Sequence, residues 1–340
     1  EANTYFATAL RIYDGLPDQN DPQVLGGLGN VWTRIGQIHN KLQQDQPEID
    51  AFRQALAFRR RLNELESNVE NQRLLANAEM NLGQALWPVD PMEPSAHIGV
   101  AFDHLTTAQS IRAKLLQQEP GNAKVVRDQV KGYVLLADSV VSDRNGAVEK
   151  YLTAAIQTME AQSLETPPTL EEIYLRAIVV RRLGGAIADT AASSDDLGRA
   201  RDLFEEALNI LNPLAAENPL VVDYMSALAA TYYDTALVLQ ELESSEEARS
   251  HLRTALKLLD PLTKGRNPDD SRRWAGAHAI LAEMEPPNSD AAITHIREAR
   301  TLLVEKIDAL TGNANAENVR EEYRAAVQEL DQLLADRAKL

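Results

Sequence analysis

Along this chain, small, bulky apolar and alanine positions recur in one order: a small residue, three others, a bulky apolar residue, two others, then alanine. The copies are Ala2/Phe6/Ala9, Glu48/Phe52/Ala55, Ala101/Leu105/Ala108, Ala147/Tyr151/Ala154, Ala200/Phe204/Ala207, Ala248/Leu252/Ala255 and Ala292/Ile296/Ala299. Steps of four and then three put the three positions on one face of a helix. Small residues at the ends of such a stripe let a neighbouring helix come close, while the bulky one fills the groove. Only Glu48 departs from the small-residue rule. The bulky residue stands at 6, 52, 105, 151, 204, 252 and 296, a period of 44 to 53 residues. That regularity predicts a series of helix pairs, each burying its apolar face against the next.

A second pattern lies between these copies. Its clearest example is Trp32-x-x-Ile35-Gly36-x-x-His39, followed by Glu79-x-x-Leu82-Gly83-x-x-Leu86. Weaker copies are centred on Leu136-Ala137, Leu183-Gly184 and Thr235-Ala236, and the candidates around His278 and Val327 have lost the small residue. Glycine or alanine at this position removes bulk where two helices cross. First-type helices are therefore predicted near 22–43, 69–87, 123–142, 170–192, 219–242, 269–284 and 317–338. Second-type helices are predicted near 2–15, 47–65, 100–118, 146–162, 196–216, 245–264 and 290–311. Asp21-Pro22, Asn218-Pro219 and Asn267-Pro268 read as a capping side chain before a proline in the first turn. Thr169-x-x-Glu172 and Ser244-x-x-Glu247 fit a capping box.

The two spacings together resemble the tetratricopeptide repeat, in a long form, since the standard period is about 34 residues. The resemblance spans essentially the whole chain and implies an all-α right-handed superhelix of about seven helix pairs, a single repeat domain over residues 1–340. In length and style the units are similar to the repeat arrays associated with serine/threonine kinases of planctomycete-like bacteria, and by length to those of the kinesin-light-chain kind. No kinase motif is present in the chain: glycine-rich phosphate loop, His-Arg-Asp and Asp-Phe-Gly are all missing. The chain opens on a second-type helix and closes on a first-type one, which reads as a piece of a larger protein. Three prolines in Trp87–Pro94 predict an exposed rigid loop between paired helices.

Charge changes the picture next. Lys+Arg 34 against Asp+Glu 51 leaves a net charge of −17, unsuited to tracking a phosphate backbone and better matched to a basic or neutral partner. The run Arg59-Arg60-Arg61 reads as a solvated helix face. Cysteine is absent, so disulfides, thiol catalysis and thiolate zinc sites are excluded. No apolar run reaches the roughly 20 residues needed to span a bilayer, so no direct membrane insertion is expected of this segment, and its compartment stays open.

Catalytic constellations are not found. His39 occupies a packing slot, and His104, His251 and His295 each precede a bulky residue, a repeated position that does not bring three ligands to one ion. Adjacent carboxylate pairs such as Glu205/Glu206 fall where helix starts favour them. Gly26, Gly27 and Gly29 read as a close helix crossing, since a dinucleotide loop needs different spacing after a strand. No catalytic residue, cofactor or metal site is expected.

What remains is a surface. The resemblance implies that first-type helices line a concave groove. Its positions carry onto Asn30, Thr33, Gln37 and Asn40; Asn77, Met80, Gln84 and Trp87; Lys131, Val134, Asp138 and Val141; Arg181 among Ile178, Gly185 and Ala188; and Tyr233 among Ala230, Leu237 and Gln240. Asparagine and glutamine offer both donor and acceptor to a peptide backbone. Met80, Trp87 and Tyr233 offer apolar contact, and Lys131 and Arg181 positive charge. The expected function is a protein- or peptide-binding scaffold with an acidic, polar groove, the alternative being an oligomerisation module.

Overall fold

A computed structural model describes residues 2–42, 44–87, 98–140, 146–161, 167–265, 267–286, 289–311 and 316–337. Among them are fourteen α-helices and no strand. They are α1 (Ala2–Asp14), α2 (Pro22–Lys41), α3 (Asp45–Leu65), α4 (Val69–Leu86), α5 (Ile98–Gln118), α6 (Ala123–Asp138) and α7 (Ala147–Glu160). There follow α8 (Leu170–Asp189), α9 (Ser194–Glu217), α10 (Val222–Glu241), α11 (Ser245–Leu262), α12 (Pro268–Met284), α13 (Asp290–Ala309) and α14 (Glu317–Arg337). The chain divides into two units, residues 1–167 with α1–α7 and 168–340 with α8–α14. Within each, every helix packs on the next in sequence.

First-type helices are the even-numbered ones. In the first unit α4 reaches α6, and in the second α8 reaches α10, α10 reaches α12 and α12 reaches α14. Successive second-type helices make no comparable approach among the described residues. Each unit therefore curves with its first-type helices on the inside, the arrangement of an all-α, tetratricopeptide-like stack. No helix among the described residues is long and apolar enough to cross a membrane.

The crossings show why small residues recur. A Cβ added at Gly36 would lie 2.6 Å from the Phe52 ring, and one at Gly27 only 2.2 Å from the Tyr13 hydroxyl. The glycine run of α2 is thus a contact surface for α1 and α3. The motif positions Ala55, Ala108, Ala207, Ala255 and Ala299 are buried, as are Phe52, Leu105, Phe204, Leu252 and Ile296. One register differs from expectation. In α7 the buried pair is Leu152 and Ala155, not Tyr151 and Ala154, so the copy shifts by one residue. Tyr151 instead lies beside Tyr133 of α6 with ring centroids 6.5 Å apart. An aromatic ring satisfied at the edge of the pair lets the smaller leucine take the core position.

Helix ends follow the capping signals with two exceptions. Asp21 and Asn267 accept from the backbone N–H of Gln23 and Asp269 with proline in the first turn, and Thr169 and Glu172 form the full capping box. Asn218, however, closes α9 rather than opening α10. Its backbone N–H and its side-chain Nδ2 both donate to the Leu214 carbonyl, and α10 begins only at Val222. Ser244 makes no side-chain cap. The turn before it is a Schellman closure in which Ser244 N–H donates to Leu239 O, Glu243 N–H donates to Gln240 O, and Glu243 has φ 58. Ser244 is committed to ending α10, so its backbone does not take the extended form that an N-cap requires. The proline loop 88–94, Val141, His97 and Pro287 lie outside the described residues.

The glycines supply a direct test. Gly36→Ala forces the Phe52 ring to move and is expected to cost about 1–3 kcal/mol. Gly185→Ala meets nothing within 4 Å inside α8 and is expected to stabilise by about 0.5–1 kcal/mol through helix propensity. Opposite shifts in the urea denaturation midpoint are the expected result.

Candidate functional site

The inner face is built from the outset on buried polar pairs. In the first repeat, Arg59 of α3 is 4% exposed and its Nη2 donates to Asn30 Oδ1 of α2 at 2.6 Å. In the second, Arg112 of α5 is fully buried and its Nη2 donates to Asn77 Oδ1 of α4 at 2.7 Å. These pairs are equivalent. Each asparagine stands six residues before the crossing glycine and each arginine seven after the bulky residue. Arg59 is therefore a core residue, not part of a solvated basic run; Arg60 and Arg61 are the exposed members. Burial lowers the Arg59 pKa and brings that of Arg112 down to about 10.

A brace between repeats continues from Asn77. Its Nδ2 donates to Asp128 Oδ2 on α6 at 3.1 Å, and Arg73 Nη1 donates to the same oxygen at 2.7 Å. In the second unit Arg181 of α8 pairs with Asp234 of α10 at 2.6 Å, and Ser226 of α10 donates to Asp270 of α12 at 2.6 Å. Much of the polar content read onto the groove is thus spent between neighbouring first-type helices. Asn77 and Arg181 are braces, and Asn30 is held by Arg59 of α3 within its own repeat. Thr33 donates to the Gly29 carbonyl of its own helix. Trp87 packs on the Phe52/Leu82/Leu86 cluster, Met80 touches Arg112, and Tyr233 packs toward α12, where a Cβ on Gly276 would meet its hydroxyl at 2.6 Å. Lys131 is half-buried on α6, and Ala230 is buried.

Three of the sequence-placed residues do come together in the open. Gln37, Asn40 and Gln84 line a cleft of about 510 Å³ in the first unit, with Arg34, Asn81 and Glu48. All three are exposed. Glu48, the residue that broke the small-residue rule, is buried beneath them, and its Oε1 accepts from Asn40 Nδ2 at 3.0 Å. Desolvation raises its pKa above the ordinary carboxylate value, partly offset by the Asn40 bond. The cleft therefore offers amide donors and acceptors around one carboxyl, with the cationic Arg34 and Lys41 among its walls.

No family model matches the chain, and no curated protein matches its sequence. Solved structures do. The chain is similar to the apo form of RapI, with 12% identity, 91% of this chain and 99% of that one covered, and a TM-score of 0.54. It is similar to the apo form of the quorum sensor NprR from B. thuringiensis, with 12% identity, 98% and 81% covered and a TM-score of 0.53. The nuclear import adaptor Nro1 of S. pombe is similar at 12% identity, 90% and 100% covered and a TM-score of 0.50. At that identity the likeness is one of fold.

Two residues escaped the sequence reading, Arg59 and Arg112. Their signal was available: the same offset after the bulky residue holds Leu211 and Leu259 in later repeats, both fully buried. Ile178 packs in the cluster that contains Leu211, and Ala230, at the matching register of the next repeat, is buried, as is Leu259. An apolar pair thus fits where the Asn–Arg pair stands.

Asn77→Ala is expected to cost about 1–3 kcal/mol, because it strips a buried guanidinium of an acceptor. The double variant Asn77→Ile/Arg112→Leu should be less destabilised than Asn77→Ala alone, as a double-mutant cycle in urea will measure. Glu48→Gln carries a sign that follows from the raised pKa. The unfolded carboxyl ionises more readily than the folded one, so the native residue opposes folding above the unfolded pKa and is neutral below it. The variant should raise the denaturation midpoint at neutral pH and lose that advantage as pH falls below about 4.

Proposed function

We propose that this chain is a protein- or peptide-binding scaffold whose working surface in the first unit is the cleft formed by Gln37, Asn40, Asn81 and Gln84 over Glu48. One observation carries the reading: exposed amides of α2 and α4 (Gln37, Asn40 and Gln84) converge there around the carboxyl of Glu48 on α3, while Asn30, Asn77 and Arg181, at other groove positions, are tied to neighbouring helices. Amides that both donate and accept suit an extended backbone without dictating its side chains. The net charge of −17 favours a basic or neutral segment over an acidic one.

The fold supports the same conclusion. A stack of helix pairs presents an inner face much longer than any single pocket, and such a face suits an extended ligand. A quorum sensor and a nuclear import adaptor are among the similar structures, and sensing or adapting by non-covalent capture is the role proposed for this chain. We assign it to the interaction region of a bacterial signalling protein, of the kind in which long-form repeats accompany a kinase. Capture proceeds through shape, hydrogen bonding and charge, with no bond made or broken.

Selection of a displayed library of random linear peptides against the whole chain tests this. Enrichment of basic sequences is expected. The Gln37→Ala/Gln84→Ala variant should bind the selected peptides about tenfold or more weakly with an unchanged helical circular dichroism spectrum, since two hydrogen bonds are worth about 1–3 kcal/mol. Equal affinity in the variant would remove this cleft from the mechanism. Concentration-dependent oligomers in light scattering, with no enriched peptide, would favour an assembly module.

A further inference from the structure

The histidine positions follow a rule that only the structure reveals. A histidine just before a bulky position faces the residue four before the crossing residue of the preceding helix: His104 Nδ1 lies 2.6 Å from Glu79, and His251 stacks near Tyr232 at 5.5 Å between ring centroids. At His295 of α13 the same register meets a second histidine. His278 of α12 takes the position held by Trp32, Glu79, Tyr133, Val180 and Tyr232, four residues before Ala282, the buried small residue of this crossing.

The resulting cluster has ligand geometry. Nδ1 of His278 lies 2.8 Å from Nδ1 of His295 and 3.3 Å from Oε2 of Glu298, and the ligand atoms of all three lie within 4.8 Å of one another. His295 and Glu298 are three residues apart, on one face of α13. His278 is 5% exposed, whereas the Glu298 side chain is 50% exposed and can swing. His278 and Glu298 border a cleft of about 910 Å³ between α11 and α13, and the Trp274 ring stands 4.1 Å from that of His278.

We propose that His278, His295 and Glu298 form a binding site for a divalent transition-metal ion of the zinc class, clipping α12 to α13 and leaving coordination open toward the cleft.

The chemistry selects that class. Two imidazole nitrogens and one carboxylate, with no thiolate, suit zinc, cobalt, nickel or copper better than calcium or magnesium. With metal–ligand bonds of about 2.0–2.1 Å, neighbouring ligand atoms of a tetrahedral shell lie roughly 3.3 Å apart. The separations of 2.8 and 3.3 Å need only small side-chain adjustment to meet it. Neutral imidazole is the metal-binding form. Three protein ligands and an open position describe a site able to take a further ligand from a bound partner.

Calorimetric titration of the whole, chelator-treated chain with zinc chloride tests the site. One ion per chain is expected. His295→Gln and Glu298→Gln should each weaken binding by about tenfold or more, while His251→Gln, at the equivalent register without a facing histidine, leaves it unchanged. Cobalt binding should quench Trp274 fluorescence, an effect absent in Trp274→Phe and reduced in Glu298→Gln, which alters only a half-exposed side chain and keeps the fold. No stoichiometric binding, or equal affinity in the Glu298 and His295 variants, would overturn the proposal and leave a plain histidine–histidine hydrogen bond.

Discussion

How closely two helices can approach at the small-residue crossings governs everything else in this protein. At Gly36 and Gly83 a Cβ would enter the space of Phe52 or of the Leu105 side chain and Ala101 carbonyl. Because the backbones come that near, the side chains around each crossing are fixed in register over the whole pair. Positions six before the glycine and seven after the bulky residue then face one another, and whatever residues stand there must suit burial. The repeat is therefore a geometric constraint first and a sequence motif second.

The Asn–Arg pairs show what that constraint does with polar residues. A buried guanidinium loses solvation that one or two neutral hydrogen bonds do not fully return, and Arg112 accordingly has its pKa lowered by burial. The later repeats solve the same position with Ile178 and Leu211 or with Ala230 and Leu259. Hydrophobic burial there stabilises without demanding direction. The polar solution is directional: Arg112 meets Asn77 only in the native register, and Asn77 meets Asp128 only when the next repeat is also in place. On this reading the polar layer sets register in the first unit, where the second-type helices contain fewer large apolar residues along that stripe.

The sequence made the helices legible because their information is local and repeated. Small–bulky–alanine spacing, the Asp21 and Asn267 caps and the Thr169 box are read within a single helix turn. What it hid was contact between helices. Arg59 looked like one of three exposed arginines, since nothing local distinguishes it from Arg60. Asn77 and Arg181 looked available because their partners Arg112 and Asp234 lie 35 and 53 residues away. Tyr151 looked like the core residue because it is the larger of two neighbours, yet its ring is satisfied by Tyr133. The cleft was partly legible: Gln37, Asn40 and Gln84 follow from the groove positions, whereas Glu48 entered only as an exception to a rule.

That exception and the histidine at 278 differ physically. Glu48 stands where the fold otherwise asks for a small residue, whereas His278 stands four residues before the buried Ala282, which keeps its crossing small. Glu48 meets desolvation with an amide bond and an open cleft, and His278 with a second imidazole, a carboxylate and a larger cleft. Two of the braces are matched ion pairs, Arg73 with Asp128 and Arg181 with Asp234. The two proposed sites share one physical feature: each sets a buried titratable side chain, Glu48 or His278, at the margin of an open cleft.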